Sequence, residues 1–190
     1  MSDLNFTIWF TGKPFSGKKT SAQATAMELE NRGFKVEVID EEAFWKEKGN
    51  ENPPLEQLQD AEYGFAYTAR ILNRRGFVAI VSAVSPKAET RETARKLVGN
   101  FVEVQCRAPE EFLENRRQEL GAEKSELSEE YEAPENPALV LKTDVTDPDL
   151  CAQAVMVKLE EMGYVETDPD EYSDDERSEI DERLKSLGYM

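Results

Sequence analysis

The chain has 190 residues, of which 39% are hydrophobic and 33% charged, and its formal net charge at pH 7 is −17. This is the length of one ordinary α/β domain, and the strong acidity argues against nonspecific binding to nucleic acid or to anionic lipid. The chain contains no histidine and only two cysteines, which excludes a histidine-based catalytic triad, a histidine-ligated metal and a four-cysteine zinc site.

The first residues lack the basic and apolar regions of a signal peptide, and no apolar run approaches the roughly 18 residues of a membrane span. Cys106 and Cys151 lie in strand-like and helix-like contexts, which suit reduced, buried thiols better than a disulfide. We therefore expect a cytoplasmic protein that does not bind a membrane.

The first predicted elements surround a glycine-rich loop. An apolar strand at 6–10 leads into Gly12, and a helix at 21–32 follows Gly17 and Lys18. These two glycines and the lysine have the spacing G-x-x-x-x-G-K, in which loop amides and a helix N-terminus surround phosphates and the lysine reaches the β- and γ-phosphates. The alternative is a plain strand–turn–helix corner without a ligand.

One position of this loop departs from the usual pattern. The residue after the lysine is normally Ser or Thr, whose hydroxyl ligates Mg²⁺. Here that residue is Lys19, and Thr20 follows one place late. Because an ammonium group cannot ligate a metal, we expect Mg²⁺ to bind weakly.

The second predicted strand, at 35–39, ends in the three carboxylates Asp40, Glu41 and Glu42. Carboxylates at the carboxyl end of a strand beside a phosphate loop can bind Mg²⁺ or orient a hydroxyl group. We assign these roles to Asp40 and Glu42, with Thr20 as a further metal ligand. The alternative is a solvated strand end that caps the next turn.

The remaining elements alternate between strand and helix. We predict helices at 55–75, 87–98, 109–117 and 147–162, strands at 77–81, 101–106 and 138–141, and loops at 46–54 and 118–137. The second loop has few hydrophobic residues and is predicted to be a mobile lid. This alternation predicts an α/β fold with a three-layer, doubly wound parallel sheet of about five strands.

Five segments combine motifs in a specific order and spacing. They are F-T-I-W-F-T-G-x-x-x-S-G-K (6–18), V-S-A-V-S-P (81–86), F-V-E-V (101–104), Y-E-A-P-E-N-P-A-L-V-L (131–141) and T-D…C-A…L-E-E-M-G-Y-V (143–165). Together they resemble the adenylylsulfate kinase (APS kinase) family. The resemblance implies a P-loop kinase fold and a MgATP-dependent enzyme that phosphorylates the ribose 3′-hydroxyl of adenylyl sulfate. It also implies a possible homodimer.

The resemblance further implies roles for individual residues. Lys18 and the loop amides would stabilise charge on the transferred phosphoryl group, and Arg116 would lie beside ATP. Ser85 matches a serine described in the family as a phosphoserine intermediate, although direct in-line transfer needs no serine and Ser85 is alternatively a strand-exit turn. The residues that would hold the ATP phosphates are Gly12, Lys13, Pro14, Phe15, Ser16, Gly17, Lys18, Lys19 and Thr20.

The substrate side departs further from the family. Trp45 stands where the family has a substrate-binding arginine, residues 57–64 lack the family's arginines, and the family's lid sequence is missing. We assign substrate contacts to Trp45, Phe65, Ser85 and Arg91. The aromatic side chains here would either form a pocket that stacks a base or simply pack against one another.

The sequence therefore predicts an APS-kinase-like phosphotransferase that uses ATP and Mg²⁺ to phosphorylate a hydroxyl of adenylyl sulfate or a related nucleotide conjugate. The main alternative is a degenerate domain that binds nucleotide and regulates or scaffolds a partner. A P-loop phosphatase or GTPase-like switch is a third alternative, for which the chain carries no base-reading motif.

The resemblance ends near residue 165, and we place a domain boundary there. Residues 166–182 hold ten acidic side chains and one basic one. A capping box that begins at Ser173 and an apolar stripe of Ile180, Leu184 and Leu187 predict a helix of about 14 residues. Such a helix docks either on its own body or in a groove of a partner protein, with Leu184 as the central anchor in both cases.

Overall fold

The computed structural model describes residues 5–50, 52–123, 127–166 and 174–189, which form a five-stranded sheet flanked by helices. The strands are β1 (Thr7–Thr11), β2 (Val36–Asp40), β3 (Val78–Ser82), β4 (Phe101–Arg107) and β5 (Leu139–Lys142). Their order is β2-β3-β1-β4-β5, and all neighbouring strands are parallel. This confirms the predicted doubly wound α/β sheet.

Helices connect the strands and cover both faces of the sheet. They are α1 (Lys18–Asn31), α2 (Glu41–Glu47), α3 (Leu55–Arg74), α4 (Ala88–Val98), α5 (Glu110–Glu119), α6 (Leu127–Glu130), α7 (Pro148–Glu161) and α8 (Asp174–Leu187). Because parallel strands require such crossovers, the central strands are buried on both faces. This explains the continuous apolar runs of β1 and β3.

The central strand β1 divides the core into two layers. Ile8 and Phe10 point to the face that α1 and α7 cover, where they join Leu29 and Leu159 in one apolar cluster. Trp9 points to the opposite face and packs in the cluster beneath α3 and α4. Alternation along one strand therefore anchors both helical layers.

Two segments differ from the sequence prediction. Helix α2 begins directly after β2, whereas we predicted only a strand end followed by a loop from 46. Its start is stabilised by Asp40, whose carboxylate accepts a 3.1 Å hydrogen bond from the amide of Glu42. In the segment predicted as a lid, α5 extends to Glu119 and the one-turn helix α6 forms before residue 131.

The C-terminal helix α8 docks on the body of the same chain. Leu184 is fully buried and belongs to the cluster beneath α1 and α7. The following Tyr189 hydroxyl accepts a 2.8 Å hydrogen bond from the amide of Lys142, and the Lys142 ammonium donates to the carbonyl of Leu187 at 2.6 Å. The apolar stripe is thus already covered, as the first of our two alternatives requires. The predicted cap Ser173 lies outside the described residues.

Candidate functional site

The loop between β1 and α1 has backbone features that only certain residues tolerate. A Cβ atom on Gly12 would stand 2.4 Å from the carbonyl oxygen of Cys106, so the loop can cross β4 this closely only with glycine there. Gly17 has φ 77°, and Phe15 also lies in the left-handed region at φ 67°. The left-handed turn at Gly17 leads directly into α1 at Lys18. The first amides of this helix therefore face the loop.

The loop presents the ammonium group of Lys18 and the hydroxyl group of Ser16. The Lys18 ammonium donates a 2.9 Å hydrogen bond to the carbonyl of Lys13. Burial lowers the pKa of Lys18, and the surrounding acidic groups, the Cys106 thiol first among them, oppose that shift. Within the described ranges, the buried hydroxyl of Ser16 has no hydrogen-bond partner. The loop thus has unused capacity to hold an anion.

Helix α5 brings a second cation to this loop. The Arg116 guanidinium lies 3.8 Å from the position that a Cβ atom on Gly17 would take, and Thr143 approaches the same position at 3.5 Å. Lys13 is tied to the same helix through a 2.7 Å ion pair with Glu110. The predicted ATP-side residue Arg116 is therefore adjacent to the loop. Thr143 was not among our predicted site residues, because it is far from the loop in sequence.

Lys19 occupies the space between the loop and the end of β2. Its ammonium lies 2.9 Å from the carboxylate of Asp40 and 3.9 Å from that of Glu42. The hydrogen bond to Asp40 is the largest cause that raises the pKa of Lys19. Thr20, which we predicted with Glu42 as a metal ligand, is exposed, and the structure brings Lys19 to Glu42 and to the predicted catalytic residue Asp40.

These residues do not fit a bound Mg²⁺ ion. Mg²⁺ requires oxygen ligands in near-octahedral geometry, and the ammonium of Lys19 offers only donors. Mg²⁺ in nucleotide sites is usually held by one or two protein oxygens together with phosphates and waters, so the protein ligands at this position decide whether it fits. The two carboxylates at the expected position are instead paired with a cation of the protein itself.

Two buried carboxyl groups lie behind this cluster. Glu41 is 6% exposed, and one of its oxygens accepts a 2.8 Å hydrogen bond from the amide of Val84. Burial raises the pKa of Glu41 to about 7. Glu62 on α3 is fully buried, and neither of its oxygens has a hydrogen-bond partner in the described part of the chain. Burial first, and then the charge of Glu41, raise the pKa of Glu62 well above 4.5. The sequence prediction missed Glu62 because nothing local marks it as buried.

Ser85 and Arg91, both predicted to contact the substrate, face the interior. The Ser85 hydroxyl is fully buried and accepts a 2.9 Å hydrogen bond from the indole of Trp9. Arg91 donates to the carboxylate of Glu103 at 2.9 Å and to the carbonyl of Ser85 at 2.6 Å. Arg91 therefore holds the turn after β3 in place. Ser85 has φ 46°, a conformation that non-glycine residues rarely adopt away from functional or tightly held turns.

The aromatic residues of α2 and α3 pack against one another beside an open cleft. Phe44 meets the rings of Trp45 and Phe65 edge to face, with centroids 5.0 and 5.1 Å apart. Trp45 and Phe65 are buried, and the indole N–H of Trp45 has no partner among the residues that the structure describes. The cleft has a volume of about 830 Å³, and Lys48 and Asp60 are among its lining residues. Phe44, Trp45 and Phe65 thus pack against one another and also line the cleft.

The fold and the loop define the class of this protein. A glycine loop with a lysine joins the central strand of a parallel sheet to a helix, at the carboxyl edge where ligands of such sheets bind. This is the P-loop nucleoside triphosphatase fold. No helix within the described ranges is long and apolar enough to cross a membrane.

The comparisons with known proteins identify the family within this class. Residues 4–142 match the family described as "Adenylylsulphate kinase". The adenylyl-sulfate kinase of Picosynechococcus sp. is 33% identical over 184 residues, which cover 87% of this chain and 99% of that protein. The probable adenylyl-sulfate kinase of Pyrococcus abyssi is 35% identical over 171 residues, covering 84% and 98%. The chain belongs to the adenylylsulphate kinase family.

A solved structure supports the same assignment. The APS kinase of Mycobacterium tuberculosis, solved in complex with AMPPNP and APS, superposes with a TM-score of 0.72. Its sequence is 28% identical, and the match covers 82% of this chain and 98% of that one. The body of the chain therefore has the fold of a characterised APS kinase.

Proposed function

We propose that this protein is an ATP-dependent phosphotransferase that phosphorylates a hydroxyl of adenylyl sulfate or of a related nucleotide conjugate. The observation that carries this proposal is the phosphate loop itself, with Lys18 inside it and Arg116 beside Gly17. Membership of the adenylylsulphate kinase family and the resemblance to a structure that contains AMPPNP and APS support it. The family resemblance also implies that the protein forms a homodimer.

In this proposal the loop amides, Lys18 and Arg116 hold the ATP phosphates. Phosphoryl transfer depends mainly on positioning and on stabilising charge, so the absence of histidine is no obstacle. The γ-phosphoryl group passes directly to the acceptor hydroxyl, and ADP leaves. Direct transfer is favoured over a phosphoserine because the Ser85 hydroxyl is buried against Trp9.

The acceptor side supports a broader substrate class than adenylyl sulfate alone. The one arginine that persists there, Arg91, is engaged by Glu103. The cleft beside α2 and α3 offers aromatic edges and the ammonium of Lys48, which lies 4.6 Å from the ring centroid of Phe44. The base of a nucleotide conjugate can contact the half-buried ring of Phe44 there, whereas Trp45 and Phe65 are buried.

A phosphate-transfer assay tests the proposal. ATP labelled on its γ-phosphate is incubated with the protein and with adenylyl sulfate or a panel of nucleotide conjugates. The assay is run once with MgCl₂ and once with EDTA. We expect label to appear on one acceptor and no label on the protein. Lys96→Ala removes a lysine with a 74% exposed side chain on α4. It should transfer label as the parent does, and it is the matched control for variants of the loop lysines. ATP binding without transfer to any acceptor would instead favour a regulatory nucleotide-binding domain.

A further inference from the structure

The geometry points to Lys19 as a built-in cation of the phosphate site: its ammonium takes the place of a divalent metal, so that ATP binds without Mg²⁺. This inference rests on the proposed function, since it concerns how the same loop holds the nucleotide. It also assigns a role to the position at which the sequence departs from the P-loop pattern.

The position of Lys19 places its charge where the phosphates would lie. Lys19 is the second residue of α1, directly after Lys18, and its side chain is 42% exposed. It reaches from the helix N-terminus to Asp40 at the end of β2, across the carboxyl edge of the sheet. A ligand whose phosphates sit on the loop amides therefore meets two consecutive lysines in the first turn of α1, Lys18 turned to the loop and Lys19 turned to the end of β2.

The ammonium group also removes the ligands that a metal would need. The 2.9 Å contact with Asp40 and the 3.9 Å contact with Glu42 engage both carboxylates that the sequence offers for coordination. A divalent ion at this position would have to break these ion pairs and would be repelled by the positive charge of Lys19. The Thr20 hydroxyl does not replace the missing ligand, because successive helical residues point about 100° apart.

The site supplies positive charge to the phosphates without a metal. Asp40 and Glu42 alone would repel the phosphates of ATP, and Lys19 offsets that repulsion. Lys18 and Arg116 then supply two further positive charges around Gly17. The helix N-terminus adds the partial positive charge of its free amides. These groups together perform the charge neutralisation that Mg²⁺ provides in other P-loop sites.

A binding experiment in two buffers tests the inference. The affinity for ATP is measured by calorimetry with MgCl₂ and with EDTA, for the parent and for Lys19→Thr, which restores a hydroxyl at the metal-ligand position. The parent is expected to change its Kd by less than about threefold between the buffers, and Lys19→Thr to bind at least about tenfold more tightly with MgCl₂. Lys19→Arg keeps the charge and should remain insensitive to the metal. Lys96→Thr controls for the loss of a surface lysine.

The outcomes separate this inference from the proposed function. A parent protein that binds ATP at least about tenfold more tightly with MgCl₂ overturns the role of Lys19 alone, and so does a folded Lys19→Thr that stays insensitive to Mg²⁺. A parent that binds ATP in neither buffer overturns the proposed function as well. Circular dichroism checks that each variant is folded. If Lys19→Thr does not fold, the two-buffer comparison of the parent still decides.

Discussion

The nucleotide side of the candidate site keeps the family pattern more fully than the acceptor side does. On the nucleotide side, the close approach at Gly12, the left-handed turn at Gly17 and the neighbouring Arg116 all agree with the P-loop pattern. On the acceptor side, the buried Trp45 stands at the position where the family has an arginine, and the carboxyl groups of Glu41 and Glu62 are buried. Backbone geometry constrains a phosphate loop tightly, whereas an acceptor pocket is defined by side chains that can be exchanged singly. The phosphate-binding loop has therefore kept the geometry of the family, while the acceptor pocket has changed.

The strongest test of the nucleotide side is the substitution Lys18→Ala. Removing the ammonium inside the loop should weaken ATP binding by about 1,000-fold, or about 4 kcal/mol, because a charge that contacts the phosphates is lost. Isothermal calorimetry on a variant with an unchanged circular dichroism spectrum measures this. Lys96→Ala should bind ATP like the parent. If Lys18→Ala did so too, the loop would not be a phosphate site.

The buried carboxyls of the acceptor side predict a pH dependence of stability. Because the pKa of Glu41 is raised to about 7 in the folded protein, the native state binds more protons than the unfolded state between about pH 4.5 and 7. The free energy of unfolding should therefore fall as pH rises through this window, by up to about 3 kcal/mol. Glu62, whose pKa is also raised, adds a change of the same sign.

Urea denaturation at pH 5 and pH 7.5 measures this effect. Glu41→Gln keeps an oxygen for the amide of Val84 and should lose much of the pH dependence. Glu92→Gln, whose side chain is 52% exposed, is the matched control and should behave like the parent. An equal dependence in Glu41→Gln and the parent would mean that Glu41 is ionised in the folded state at pH 5.

A smaller loss of ATP affinity is expected when Arg116, which lies beside Gly17, is replaced. Arg116→Ala should weaken ATP binding by about tenfold, since one charge-assisted contact of about 1.5 kcal/mol is lost. The neighbouring Arg117 is the control, because it donates to Glu114 and to the carbonyl of Ala122 instead. Arg117→Ala should change the affinity by less than about twofold. Equal losses in both variants would point to the stability of α5 rather than to a contact with ATP.

The smallest effect on the site is predicted for deletion of residues 168–190. This deletion removes Leu184 from the cluster beneath α1 and α7, together with the hydrogen bond between the Tyr189 hydroxyl and the amide of Lys142. Neither Leu184 nor Tyr189 is among the residues that we assign to the ATP phosphates. We expect the truncated chain to remain folded and to bind ATP with the parent affinity, at a lower melting temperature. Thermal unfolding and calorimetry measure both quantities. A truncated chain that does not fold would show that the body needs the docked α8 in order to fold and that the boundary near residue 165 is misplaced.

The fold and the phosphate loop of this protein could be predicted from the order of its residues. Strand β1, the loop from Gly12 and helix α1 are contiguous, so their spacing and their apolar periodicity can be read along the chain. The alternation of strands and helices then predicted the parallel sheet, because parallel strands require crossover helices. The apolar stripe that contains Leu184 predicted α8, because its helical periodicity can also be read along the chain.

The side chains that lie around the phosphate loop could not be predicted in this way, because their positions depend on how the layers pack. The pairing of Lys19 with Asp40 and the approach of Arg116 and Thr143 to Gly17 join residues that are distant in sequence. The burial of Glu62 on α3 likewise depends on the elements that pack against that helix. Local patterns report which side chains a helix or strand presents, but the partner that each side chain meets depends on how the layers pack. Charge compensation and desolvation act through that packing, and they determine which carboxylates remain available to a ligand.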